Sequence, residues 1–398
     1  MPQVTIIGAG PAGLTAARTL RDAGIHDILV LERNPEAGGL PRFAAHPGWG
    51  MLDFHRLWSG PTYAKRLVEA AKGVTIATNT TVTAVHPGGV LEVSGLDGQR
   101  RIESRAVLLA AGIREMPRGA RLLSGTRPWG VMNTGAFQEM VYRGGQLPFR
   151  RPMVIGTELV SFSALLTAQH LGIRPVAMIE AAPRITARRP GDWIARHVLG
   201  VPVRTGTRLT RIEGLDRVEA VVVEHAGGTE RIACDGVLLT GRFVPEAALA
   251  RAGHLDVDHG TAGPAIDTLW RCSDPAYFAA GNVLRPVEHS GAAALEGRDA
   301  ARSIIRALAG ELPPSDATVP VTVAGGLRYA YPQRVVLGQG ATQLYARVLQ
   351  EHRGRLRLMA DGRTILDRVI HALPERRIRI PLDTNMLTSA SRLTAELA

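Results

Sequence analysis

Three glycines and one distant carboxylate carry the clearest chemistry in this chain. Gly8-Ala9-Gly10-Pro11-Ala12-Gly13 has the spacing of a diphosphate cradle. In such a cradle the first glycine permits a tight turn, the second lets the backbone reach the diphosphate, and the third lets a helix pack closely on a strand. Glu32 lies 19 residues beyond Gly13, where a carboxylate accepts ribose hydroxyls and disfavours a 2′-phosphate. The spacing means dinucleotide binding only where a strand precedes the glycines and a helix follows them.

Both elements are legible. Val4-Thr5-Ile6-Ile7 is a short apolar run bounded by glycine, as a buried parallel strand requires. A helix is predicted from Pro11 to about Ala23, ended by Gly24, with the next strand at Ile28 to Leu31. The helix N-terminus offers free N–H groups and a favourable dipole to phosphates. A second βαβ unit is predicted at Met153 to Gly156, Leu159 to about Leu171, and Pro175 to Ile179. Its motif is degraded: Gly156-Thr157-Glu158-Leu159-Val160-Ser161 keeps only the first glycine, and Glu158 brings a negative charge where a diphosphate would approach. NAD(P)H binding there stays open. Glu180 either contacts an NADH ribose or is a solvated strand end.

These patterns predict an α/β fold with two Rossmann-like dinucleotide-binding domains and a small β-rich C-terminal domain. The first domain is expected at residues 1–115 and 245–311, the second at 116–244, and the β-rich domain at 316–398, beyond the proline-rich linker Leu312-Pro313-Pro314-Ser315. Within the last domain, strands are expected at Leu327 to Leu337, Gln343 to Leu349, Arg355 to Met359 and Arg376 to Leu382, with a turn at Asp361-Gly362.

Composition narrows the function classes. The formal charge of +11 comes from arginines scattered along 398 residues, with lysine only at Lys65 and Lys72. No basic run interleaved with aromatics points to nucleic acid. No apolar run is long enough to span a bilayer, and no charged n-region opens the chain, so a cytoplasmic protein without a transmembrane segment is expected. Cys234 and Cys272 stand far apart without a CxxC or a Cys/His cluster. They build neither a zinc nor an iron–sulfur site, and no metal is expected.

Candidate acid–base residues lie in His46 to Tyr63, unusually rich in aromatics and histidine. His46 or His55 could act as a general base if this segment lines a cofactor face; otherwise its aromatics are core. A helix starting near His289-Ser290-Gly291 would turn its positive end toward a cofactor ring, with His289 either at that ring or capping the helix.

Several motifs resemble the two-dinucleotide-domain flavoproteins of glutathione-reductase-like fold. Glu32-Arg33-Asn34-Pro35-Glu36-Ala37-Gly38-Gly39 is similar to their extended FAD pattern of acid, short loop and glycine pair. Ala276-Tyr277-Phe278-Ala279-Ala280-Gly281-Asn282-Val283 resembles their second FAD motif, with Asn282 where Asp is usual. Ala110-Ala111-Gly112 resembles the crossover that touches the cofactor as the chain leaves the FAD domain. The resemblance implies FAD, contacted by Gly8, Gly10, Pro11, Ala12, Gly13, Glu32, Arg33, Gly38, Gly39, Ala111, Gly112, Gly281, Asn282 and His289.

Over nearly the whole length, His46-Pro47-Gly48-Trp49-Gly50, Ser59 to Ala64, Phe278 to Leu284 and Leu327 to Arg334 resemble NAD(P)/FAD-dependent oxidoreductases associated with glycerol-3-phosphate or L-2-hydroxyglutarate dehydrogenases. More distantly, Arg127 to Met132 is similar to flavin subunits of hydrogen cyanide synthase and of opine or hydroxyproline dehydrogenases. The first group often carries a cysteine ahead of its glycine-rich stretch, where this chain has Ala44-Ala45.

The resemblance implies a dehydrogenase or electron-transfer subunit, part of an oligomer, moving hydride or electrons between a small metabolite or partner flavoprotein and an acceptor through flavin N5. An NAD(P)H-dependent flavin oxidoreductase and a non-catalytic FAD-containing scaffold are the alternatives. With no CxxxxC after Gly39 and no CxxC in the second domain, a disulfide reductase is not expected.

Overall fold

The computed structural model describes residues 2–188, 190–387 and 390–398. Val4–Ile7, buried along its whole length, is the central strand of a five-stranded parallel sheet. Its order is Tyr277–Ala279, Ala106–Leu109, Val4–Ile7, Ile28–Leu31 and Thr75–Ala77. An all-apolar strand of this kind needs cover on both faces. One face is covered by the helices Pro11–Asp22 and Ser290–Leu308, the other by an inserted antiparallel sheet of Thr81–His86, Val90–Gly95 and Gly98–Glu103.

The second parallel sheet repeats the plan in the order Val131–Asn133, Gly236–Leu239, Pro152–Ile155, Ala177–Ile179 and Val203–Arg204. The C-terminal residues form a five-stranded and a three-stranded sheet around one apolar core. The expected strand Leu327 to Leu337 is split there into Leu327–Tyr331 and Arg334–Val336 by Pro332, which has no N–H for a ladder. Three strands were not foreseen: Thr318–Val323, Arg363–Ala372 and Leu393–Leu397. The first contains Pro320 and the second is an edge strand rich in charge, so neither shows clean apolar alternation.

The two helices on the first sheet approach closely at Gly297. A Cβ on Gly297 would overlap the Ala12 carbonyl, and a Cβ on Gly281 would stand 2.8 Å from the Ala12 Cβ. The chain passes between the two parallel sheets twice, through Ile113–Glu115 and Phe243–Pro245, which pair antiparallel. At this crossing the Gly135 N–H donates to Glu115 Oε2 at 2.8 Å, while Oε1 is enclosed without a partner among the described residues. Burial pushes the Glu115 carboxyl up to about 7, against the pull of the Gly135 N–H and Arg121.

Two outcomes follow from this packing. Gly297→Ala should lower the unfolding free energy by about 1–3 kcal/mol, the range for overpacking a close contact, measured by urea denaturation. A carboxyl raised on folding stabilises below its unfolded value and loses that contribution as pH rises through its folded value. The loss here falls between 4.5 and about 7. Glu115→Gln should therefore flatten the fall of Tm across this window; an unchanged slope would show that Glu115 does not titrate there.

Candidate cofactor site

The glycine turn sits at the carboxyl end of the first sheet, where a parallel sheet leaves a crevice for ligands. Gly8, at φ +108°, faces the outgoing chain so closely that a Cβ would stand 2.5 Å from the Ala110 oxygen. This brings Ala111 and Gly112 beside the turn. A Cβ on Gly13 would overlap the Gly8 carbonyl. Gly10 differs, because a Cβ there would meet only Gly39 Cα, at the ordinary contact distance of 3.9 Å, so its bare backbone lies directly against the Gly38-Gly39 loop. Gly38 N–H donates to Ala9 O at 2.8 Å, fastening that loop to the turn.

Glu32 is buried at the end of its strand. Its Oε2 accepts from Ala9 N–H at 3.0 Å and its Oε1 from Asn34 N–H at 2.9 Å. Each oxygen keeps a lone pair, so the carboxylate ties the turn to the next strand and can still receive sugar hydroxyls. Arg33 is exposed beside it.

At the other end of the site, Gly281 packs on Ala12, and Asn282 bonds within its own loop. Its Nδ2 donates to Glu288 O at 3.0 Å, and Glu288 N–H donates to its Oδ1 at 2.9 Å. His289 caps the helix Ser290–Leu308, with Gly291 N–H donating to Nδ1 at 3.2 Å. Asp53 Oδ1, beside Gly291 at this helix start, Ser290 Oγ, and Trp49 Nε1 next to Tyr63 are enclosed without hydrogen-bond partners among the described residues. Such orphaned groups ask for a polar ligand or water. A bare glycine backbone at Gly10, a carboxylate with spare acceptor capacity and orphaned polar atoms at a helix N-terminus together fit FAD.

The structure does not gather the three histidines. His46 Nε2 pairs with Ser163 Oγ at 2.7 Å, a bridge from the first domain to the helix Leu159–His170 of the second. His55 is exposed in a left-handed turn, φ 54°. The aromatics of their segment are packed: Trp49, Phe54 and Trp58 lie against the core around the fully buried Tyr63. Sequence reasoning passed over Asp53, whose Oδ2 accepts from Tyr63 O–H at 2.5 Å. Burial, reinforced by Asp53, pushes the Tyr63 phenol far up. No spacing signal in the loop could have found this pair.

The second crevice is built differently. Gly156 keeps the tight turn, φ +114°, but the Glu158 carboxylate lies against Gly241 and accepts from Arg242 N–H at 3.4 Å. Burial pushes its carboxyl up. An ionised carboxylate about 4 Å from a phosphate charge would cost on the order of 4 kcal/mol at an effective dielectric near 20. Glu180 is engaged locally, accepting from Thr157 O–H at 2.6 Å, Ala182 N–H at 3.1 Å and Thr186 O–H at 3.3 Å.

The family model described as pyridine nucleotide-disulphide oxidoreductase matches residues 2–297. The chain is 29% identical over 357 residues to sarcosine oxidase subunit alpha of Rhizobium meliloti (strain 1021), covering 82% of this chain and 32% of that protein. It therefore spans about a third of that relative's length. It is 28% identical to the ferredoxin--NAD(+) reductase subunit of the benzene 1,2-dioxygenase system of Pseudomonas putida, covering 72% of this chain and 68% of that one. In fold it is similar to T. acidophilum thioredoxin reductase, with TM-score 0.65 and 21% identity, over 77% of this chain and 98% of that one. No helix among the described residues is long and apolar enough to cross a membrane, and no group of His, Cys, Asp and Glu among them is arranged to hold a metal.

Proposed function

Because the chain belongs to the pyridine nucleotide-disulphide oxidoreductase family, we propose that it is an FAD-dependent oxidoreductase passing reducing equivalents between a small metabolite or a partner subunit and an acceptor. The carrying observation is the junction of Gly8, Gly10, Gly38-Gly39 and Glu32, where a bare backbone faces a carboxylate that still has acceptor capacity. In this reading the amides at the start of Pro11–Asp22 hold the diphosphate and Glu32 holds the sugar. The start of Ser290–Leu308 offers its positive end to the ring. When bound, FAD supplies the two-electron chemistry; the chain binds it, orients it and shapes its electrostatics.

In this reading the chain carries out no thiol–disulfide exchange. Cys234 and Cys272 are both buried, and they belong to different apolar cores. Burial pushes the Cys234 thiol up to about 11 and the Cys272 thiol further, leaving little nucleophilic thiolate. The test of FAD binding is Gly10→Val, which should cut the flavin absorbance of purified protein at least tenfold, while circular dichroism shows an intact fold. A folded variant with full FAD content would overturn the proposal. An anaerobic screen of glycerol-3-phosphate, 2-hydroxyglutarate and secondary amino acids then identifies the metabolite by loss of flavin colour.

A second reading, reduction by NAD(P)H, is supported by the Rossmann-like second domain and by the ferredoxin--NAD(+) reductase relative. Glu158 opposes it. We expect slow bleaching of the wild-type flavin by NADH in anaerobic stopped flow, and at least tenfold faster bleaching in Glu158→Gly. Equal, fast bleaching of both proteins would favour the second reading.

A further inference from the structure

The segment from Gly281 to His289 joins the second flavoprotein motif to the helix start, and much of what holds it comes from the C-terminal β-rich domain. Arg347, on the strand Ala341–Val348, donates through Nη2 to Val287 O at 2.7 Å and to Glu288 Oε1 at 2.8 Å. Arg377 lies over the Tyr345 ring at 4.4 Å, with Nε 3.9 Å from Glu288 Oε2 and Nη1 3.8 Å from Glu296 Oε1. Within the segment, fully buried Arg285 pairs with Glu296 and donates to Gly281 O at 2.6 Å, and Tyr331 of the C-terminal domain lies against its guanidinium at 4.9 Å.

Glu288 is the node. Its carboxylate receives Arg347, its backbone is bracketed by the Asn282 carboxamide, and the next residue caps the helix. The Glu288 and Arg347 side chains are only 13% and 12% exposed. Enclosed ion pairs add little net stability compared with an apolar replacement, but they fix geometry closely when their hydrogen bonds are made. The matched family model ends at residue 297, so Arg347 and Arg377 lie outside the part of the chain it describes.

We propose that Arg347 and Arg377 are positioning residues for the flavin redox step, acting through Glu288 to hold the helix start of Ser290–Leu308 against the FAD ring. This rests on the FAD reading above. A helix N-terminus stabilises negative charge only within its first turn, so a loosened Glu288 weakens the preference for reduced over oxidised FAD. The C-terminal domain thereby acts on the electron affinity of the cofactor without touching it.

The experiment is a spectroelectrochemical titration of FAD-loaded full-length protein, giving the ratio of oxidised to reduced FAD dissociation constants. Arg347→Met should lower that ratio about threefold to tenfold, the range for a charge at a helix terminus. Arg347→Lys should restore part of it, and Glu288→Gln should reproduce the loss. Arg355→Met, which removes an exposed pair with Asp367 in the same domain, should leave the ratio unchanged. If Arg347→Met does not fold, Glu288→Gln and Arg347→Lys decide the matter. An unchanged ratio in the folded variants, or an equal fall in Arg355→Met, overturns the inference. Wild-type protein that binds no FAD overturns the function reading instead.

Discussion

Close approach of backbone to backbone is the constraint on which the structure depends. At Gly8, Gly13 and Gly297 a single added carbon would meet a carbonyl. The turn, the first helix and the long helix Ser290–Leu308 therefore form one block around the end of the strand Val4–Ile7. The same bareness leaves the Gly10 backbone uncovered by any side chain of its own beside the Gly38-Gly39 loop. The cofactor site is a by-product of how tightly the elements around it must fit.

The second domain repeats the scaffold with a different outcome. Its sheet order and its turn at Gly156 are those of a dinucleotide-binding domain, yet Glu158 turns one oxygen to the Arg242 N–H and Glu180 spends both on the chain's own N–H and O–H groups. The contrast with Glu32 lies in geometry. Glu32 accepts one backbone N–H on each oxygen and stops there, whereas Glu180 Oε2 already takes two hydroxyls. Similar architecture thus carries one receptive carboxylate and one that is locally satisfied.

The domains are joined by polar contacts as well as by the crossing strands Ile113–Glu115 and Phe243–Pro245. His46 reaches Ser163 across the first and second domains, and Arg184 of the second holds Glu375 of the third through two bonds of 3.1 Å. Two residues further on, Arg377 approaches Glu288 and Glu296 of the first domain. One turn of the C-terminal domain therefore addresses both dinucleotide-binding units.

Local order was written plainly in the residues. The glycine spacing, the apolar runs at Val4–Ile7 and Pro152–Ile155 and the acid at Glu32 identify strand, turn and helix, because each is a short-range consequence of sterics and burial. The histidine assignments could not all be resolved that way: the partner of His46 lies more than a hundred positions away, whereas His289 bonds only its near neighbour Gly291. The Asp53–Tyr63 pair, the hydroxyls on Glu180 and the arginines on Glu288 were likewise invisible, since no spacing rule relates these partners before the chain is folded. Sequence alone determined which backbone segments can cradle a diphosphate; tertiary structure decided which charged side chains are left free to receive a ligand, because only packing sets the competing partners of each one.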